Sequence, residues 1–423
     1  MRTGFLSVSI LLFSLHLTAQ DFKKIIQENV HTISIDPSLT SFQDLDYLGK
    51  AIENKRIIML GEQEHGDGST FAAKARLVKY LHEKLGYNVL IFESDMISMN
   101  EVWKEVTTDK KDLAKDISQN IYPVWTNCQQ ASTVFQYIVT EYQKGSAIKL
   151  GGFDNQITGV AAFKSLRSLL GDSLQKYNSA FYIAHSDFFK KQLDTAFHLL
   201  NRSSTLSQME VRVFYQSYIS SLEIINGELF SLHGQISQSV ESILSFYKQL
   251  LLRETDKDLE SSQERDAQMA RNLRWLVTNK YPNEKIIVWA ANTHIIRNND
   301  TNLNKKYKIP FSMGQNFTRD SSMEKQTYII GFTGYSGVSK RAFGNMRTIN
   351  ISKPKKNSLE SWVNETGQEN VFINFLQFQK SEIAQQAFTM NFINWLDAKS
   401  EWINAYDGVV YIQETVPCVK VNQ

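Results

Sequence analysis

A histidine and several carboxylates stand at the ends of short apolar runs in this chain. Gly61-Glu62-Gln63-Glu64-His65-Gly66 follows Ile57-Ile58-Met59-Leu60, and Asn292-Thr293-His294 follows Ile286-Ile287-Val288-Trp289-Ala290-Ala291. Glu93 ends Val89-Leu90-Ile91-Phe92, and Asp154 ends Leu150-Gly151-Gly152-Phe153. Imidazole ionises near pH ~6.5, so it is a ready base at neutral pH. A carboxylate three residues before His65 and glycines on either side favour a functional histidine over a merely exposed one. These residue types, set at strand ends, mark an enzyme site rather than a core.

Other candidates carry two readings. On a helix after His65, turned roughly 100° per residue, Phe71, Ala75, Val78, Leu81 and Leu85 share one arc with Lys74 and His82. The Lys74 stem either snorkels along that stripe or carries its ammonium to the strand-end carboxylates, and an unpaired buried charge is costly. His82, two turns on, reads as a satisfied core histidine. Asp95 and Asp154 suit helix capping as well as catalysis. Arg265 shares a face with Met269, Asn272 and Leu276, so it either meets a carboxylate or substrate at the site or forms a structural ion pair.

The elements that must position these groups follow from periodicity. Six runs read as strands: Arg56–Leu60, Asn88–Glu93, Ala147–Phe153, Lys285–Ala290, Thr327–Phe332 and Gly408–Gln413. Helical segments expected at Ser69–Leu85, Ser98–Val106 and Ala131–Lys144 separate the first three, with Ser69 as N-cap of its helix. That alternation implies βαβ crossovers and an α/β fold with a mainly parallel sheet flanked by helices. From about residue 160 to 280 the pattern is helical throughout, an inserted helical subdomain expected to pack over the sheet's carboxyl edge. Residues 298–325 read as polar loop, apart from the run Ile309 to Gly314.

Residues 1–20 have the layout of a secretory signal peptide, with Arg2 first and an apolar stretch from Phe5 to Leu17. The expectation is an exported protein, periplasmic or secreted, cleaved near Ala19 or Gln20 and with no stable membrane insertion afterwards. Loss of Arg2 takes the formal charge of +2 down by one, a balance that argues against nucleic acid as partner. Cys128 and Cys418 are the only cysteines, and whether they pair is left open by their spacing. Gly334-Tyr335-Ser336-Gly337 lacks the spacing of a hydrolase nucleophile elbow. His-Glu-x-x-His, Cys-x-x-Cys and phosphate-loop motifs are absent, and no metal or other cofactor is expected.

At these residues the chain resembles the erythromycin esterase-like family. The resemblance rests on Gly61-Glu62-x-x-His65-Gly66, on Lys74 and Arg76, and on Phe92-Glu93. It continues through Gly152-Phe153-Asp154-x-Gln156, Arg265-Asp266-x-x-Met269-Ala270-x-Asn272, Trp289-Ala290-x-Asn292-x-His294 and Met313-Gly314. It implies a hydrolase of small-molecule esters or lactones without a covalent nucleophile, in which His65 is general base to a water. Glu62 and Glu93 would orient that histidine and the water, and His294 would bind or polarise the reacting group. Lys74, His294 or Arg265 would offset charge on the oxyanion, with Asp154 beside them. The family's esterases carry a second histidine where this chain has Ala291, so the resemblance does not carry macrolide specificity over to it. A non-catalytic haem- or metal-binding protein on the same scaffold is the alternative, and metal-assisted hydrolysis a third reading.

Overall fold

The computed structural model describes residues 19–109, 112–201, 204–229, 234–297 and 311–421. The expected leader lies outside the described residues up to residue 18, as do Ile309 and Pro310. Phe22 and Ile26 of helix α1 (Ala19–Glu28) are buried in the core. Among the described residues no helix is long and apolar enough to cross a membrane.

The chain forms an α/β fold around a nine-stranded mixed sheet. In chain order its strands are β1 (Val30–Thr32), β2 (Ile57–Leu60), β3 (Tyr87–Asp95), β4 (Lys149–Asp154), β5 (Lys285–Trp289), β6 (Thr327–Lys340), β7 (Thr348–Ile351) and β8 (Asn370–Asn374). Next come β9 (Phe388–Asn391) and β10 (Asp397–Ser400), which form a separate antiparallel pair, and then β11 (Gly408–Thr415), which rejoins the large sheet. The spatial order is β1-β8-β11-β6-β2-β5-β3-β4, with β7 paired to β6.

The run from β11 through β6, β2, β5 and β3 to β4 is parallel throughout. These are the six strands expected from sequence. Strands buried on both faces read as continuous apolar runs, which makes them legible. Ile58 and Leu60 of β2 pack into the core on one face, and Ile57 and Met59 into that on the other.

The chain carries further strands that the expectation lacks. β1, β7 and β8 pair antiparallel at the sheet's margin and are short, with few apolar residues each. β6 runs on past Phe332, because Thr333 to Lys340 pairs with β11 and β7 despite two internal glycines. β3 likewise runs past Glu93 to Asp95, with a register shift after Phe92. The segment expected as loop holds two short helices, Met313–Thr318 and Ser321–Gln326, capped by Ser312 and Asp320. Those caps are the signal that a polar composition hid.

Helix α2 (Gly68–Leu85) follows β2, α3 (Met96–Asp109) follows β3, and α4 (Gln129–Lys144) precedes β4. The N-cap of α2 is Asp67, not Ser69: its carboxylate accepts from Thr70 N at 3.1 Å and from Thr70 Oγ1 at 2.6 Å. Between β4 and β5 every described regular element is helical. The longest are α5 (Gln208–Leu229), α6 (Gln235–Glu254) and α7 (Asp258–Trp275). Upstream of α5 the helices are short, and wider turns at Ser168–Asp172 and Phe188–Gln192 interrupt the continuous segments expected there.

Candidate active site

The carboxyl ends of β2, β5, β3 and β4 lie side by side, which brings the strand-end residues of four distant segments to one edge. Two glycines allow the crowding. A Cβ on Gly61 would stand 1.9 Å from Asn292 Oδ1, and one on Gly66 would stand 2.4 Å from the Lys340 carbonyl carbon. The Asn292 side chain exchanges hydrogen bonds with Phe332, donating to its carbonyl at 2.7 Å and accepting from its amide at 3.1 Å. This clip holds the end of β5 against β6 beside the His65 loop.

His65 is partly exposed, and its Nδ1 lies 2.7 Å from Glu62 Oε1. Trp125 Nε1 donates to the same oxygen at 2.9 Å, and the Trp125 ring meets the imidazole edge-on at 5.7 Å between centroids. The other oxygen, Oε2, accepts from Lys74 Nζ at 2.5 Å. Lys74 also donates to the Ala290 carbonyl at 3.2 Å and stands 4.1 Å from the Trp289 ring centre. Burial lowers its ammonium to about 8, and the Glu62 carboxylate opposes that shift. Lys74 therefore reaches a strand-end carboxylate, but from behind: it is wholly buried and does not line the cavity.

A second cluster faces the first. Arg265 on α7 makes a fork to Asp154, with Nε at 3.1 Å and Nη2 at 2.7 Å, and Nη2 also donates to Glu93 Oε1 at 2.9 Å. These contacts belong to both readings of Arg265, a cation at the site and a structural ion pair. Burial disfavours the guanidinium charge, but Asp154 and Glu93 outweigh it and raise Arg265 above its ordinary value. Glu93 Oε2 accepts from the Ala291 amide at 2.9 Å. Burial would raise the Glu93 carboxyl, yet His294, Arg265 and His65 together hold it at about 2.

His294 Nδ1 lies 2.9 Å from Asp266 Oδ1, an oxygen that also accepts from Met313 N at 2.8 Å. Its Nε2 lies 3.2 Å from both Arg265 Nη1 and Glu93 Oε1. A neutral ring accepts from Arg265 there, and a charged ring donates to Glu93. Burial lowers the imidazole, but Asp266 and Glu93 prevail and raise it to about 8.

His65, Glu93, Asp154, Arg265 and His294 share one cavity of about 190 Å³, with Ser94, Tyr122, Gln156, Thr158 and Arg341 completing its walls. Asp95 lies outside it and caps α3, accepting from Ile97 N and Ser98 N at 2.9 and 3.1 Å. His82 is part-buried, with Nδ1 2.7 Å from the Tyr137 hydroxyl. Asn272 is buried and donates to the Phe153 carbonyl at 3.0 Å, which docks α7 on the end of β4. Cys128 and Cys418 are joined in a disulfide. No three of the described His, Cys, Asp or Glu side chains are grouped to hold a metal ion, and Glu62, Glu93 and Asp154 each already face a cation.

The family model named erythromycin esterase matches residues 82–415. The chain belongs to the erythromycin esterase family. It is similar to a putative hydrolase, YbfO, of Bacillus subtilis (strain 168), at 28% identity over 92% of this chain and 90% of that protein. Erythromycin esterase type II of Escherichia coli is 22% identical over 89% of this chain and 93% of that protein. Among solved structures, a variant of the erythromycin esterase EreC in its open conformation superposes with a TM-score of 0.68 at 17% identity, covering 93% of this chain and 99% of that one. That likeness is one of fold. Membership of the family makes the chain a hydrolase with a small-molecule substrate.

Several cavity or supporting residues escaped the sequence. Trp125 and Tyr122 precede α4 in a segment with no strand-end signal, and Arg341 follows the glycine-containing extension of β6. Asp266 was visible beside Arg265, but its partner His294 is 28 positions away and a helix face does not name it. Arg76, off the apolar arc of α2, is nonetheless buried and held by Asp44, in a segment whose return over the helix only the fold reveals.

Proposed function

We propose that this protein is an exported hydrolase that cleaves an ester or lactone with a water activated at His65, without a covalent intermediate. The observation that carries this reading is the 2.7 Å contact between Glu62 Oε1 and His65 Nδ1 at the wall of a cavity that also holds His294 and Arg265. With Nδ1 donating to Glu62, the lone pair of Nε2 is left to accept a proton.

The step follows from that assignment. Water gives a proton to His65 Nε2 as its oxygen bonds to the carbonyl carbon. The carbonyl electrons move to oxygen, and the resulting oxyanion is stabilised by the His294 or Arg265 cation. Collapse breaks the carbon–oxygen bond to the leaving group, which takes the proton back from His65. Ser94, a hydroxyl on the cavity wall, donates to the Asn120 carbonyl at 3.2 Å and accepts from Tyr122 N at 3.0 Å, an arrangement that does not prime it as a nucleophile.

The test is a screen of p-nitrophenyl esters and lactones with wild type beside His65→Ala. Turnover is expected to fall about 10²- to 10⁴-fold in the variant, with an unchanged far-UV spectrum. Undiminished turnover in His65→Ala, or a Soret band or stoichiometric metal in an inactive wild type, overturns the reading. Cell fractionation tests the export.

A further inference from the structure

The helices between β4 and β5 surround a second cavity of about 250 Å³, open on the side of the exposed Phe197. Its walls include Ile157, Phe163, Leu193, Tyr218, Ile243 and Tyr247, and among the described side chains none that lines it is charged. Ile157, Tyr218, Ile243 and Tyr247 are all buried. An apolar hollow of this kind gains nothing from water, which needs two to four polar partners to settle. It suits a hydrocarbon.

What links this hollow to the chemistry is a single short segment. Gln156 and Thr158 line the cavity that holds His65 and His294, and Ile157 between them lines the apolar one. The segment is pinned to the strand ends that carry the site. Thr158 N and Gly159 N donate to Asp95 Oδ2 at 3.0 and 3.1 Å, and Gln156 N donates to Asp154 Oδ1 at 3.1 Å. The two cavities thus have a common wall held at the carboxyl ends of β3 and β4.

We infer that the apolar cavity takes the hydrocarbon part of the ester, a chain or ring of about six to ten carbons. The size follows from comparison with an apolar cavity of about 150 Å³ that holds one benzene. The inference rests on the hydrolytic reading of the polar cavity and adds the substrate class: esters of medium-chain or compact cyclic apolar acids or alcohols. Transfer of each methylene from water into such a space favours binding about three- to fourfold.

Two measurements test it. In the first, kcat/KM is compared across p-nitrophenyl acetate, butyrate, hexanoate and octanoate. It is expected to rise at least about a hundredfold from acetate to octanoate. Ala196 also lines the cavity, and Ala196→Phe is expected to cut the octanoate-to-acetate ratio at least about tenfold by filling the space. Should that variant not fold, Ile157→Phe fills the space from the common wall. In the second, calorimetry follows binding of sodium octanoate to His65→Ala, with affinity lost in the filled variant. A flat chain-length profile together with no octanoate binding overturns the inference. Octanoate binding with no turnover of any ester overturns instead the hydrolytic reading, and with it the substrate class.

Discussion

Lys74 Nζ stands 2.5 Å from Glu62 Oε2, and neither side chain has any exposure to solvent. The ammonium sits behind the carboxylate, and His65 and Trp125 bind the carboxylate's front oxygen. A buried anion is costly unless paired and hydrogen-bonded. Lys74 therefore offers Glu62 a cationic partner from within the core, on the oxygen that His65 does not use.

Replacing one partner should show this. Lys74→Met leaves the buried Oε2 of Glu62 without its cation, and is expected to cost about 3–5 kcal/mol. Adding Glu62→Gln should recover much of that loss. Urea denaturation of the two single variants and the double variant measures the coupling. Equal losses that simply add would count against the pair.

Trp125→Phe keeps a ring beside His65 but deletes the donor to Glu62. Hydrogen bonds to charged groups are worth about 1.5–3 kcal/mol, so the folded state should lose stability of that order, and kcat/KM should fall as well because Glu62 holds His65 less firmly. Initial rates on the best ester of the screen, beside a melting curve, separate the two effects.

The His294 cluster sets a pH window. Burial works against the charge, but Asp266 and Glu93 raise the imidazole from its ordinary 6.5 to about 8. A raised value in the folded state means that this stabilisation is complete below the ordinary value and disappears as pH rises through about 8. Glu93 runs the other way. Held at about 2 instead of 4.5, it contributes above its ordinary value and loses that contribution as pH falls through about 2. Asp266→Asn should move the His294 titration, followed by NMR of the ring protons, to lower pH. If charged His294 stabilises the oxyanion, the alkaline limb of kcat/KM moves with it.

The disulfide ties the segment around Cys418 to the start of α4, and backbone hydrogen bonds tie that segment to the His65 loop. Cys418 N donates to the Gly66 carbonyl at 3.0 Å, and Gly68 N donates to the Val416 carbonyl at 2.9 Å. Cys128 lies three positions after Trp125, whose ring meets the imidazole edge-on. Replacing both cysteines by serine is expected to cost about 2–5 kcal/mol and to lower kcat as well. Thermal melts and rates, with and without reductant, check both; an unchanged kcat would place the bridge outside the site's support.

The legible part of the site followed from local rules. Runs such as Ile57 to Leu60 and Ile286 to Trp289 are apolar because both faces of a central parallel strand are buried, so their polar ends stood out and pointed to Glu62, His65, Glu93, Asp154 and His294. The arc of α2 placed Lys74 toward the sheet for the same reason. The marginal strands β1, β7 and β8 gave no such contrast. β1 and β7 bury few residues, β8 offers only the three apolar residues Val371 to Ile373, and β1 finds its partner far away in the chain.

By itself, then, the sequence determined which groups reach the carboxyl edge of the sheet, since strand and helix periodicity decide which way a side chain points. It did not determine who meets whom. The spatial order β2-β5-β3-β4 sets His294 beside Glu93 and Arg265, and lets Arg265 grip Asp154 from a helix that begins over a hundred residues later. The tertiary structure also put Trp125 on Glu62, paired Asp266 with His294, and set the apolar cavity behind Ile157. Those relations arise from the packing of whole elements against one another, which no local pattern of residues encodes.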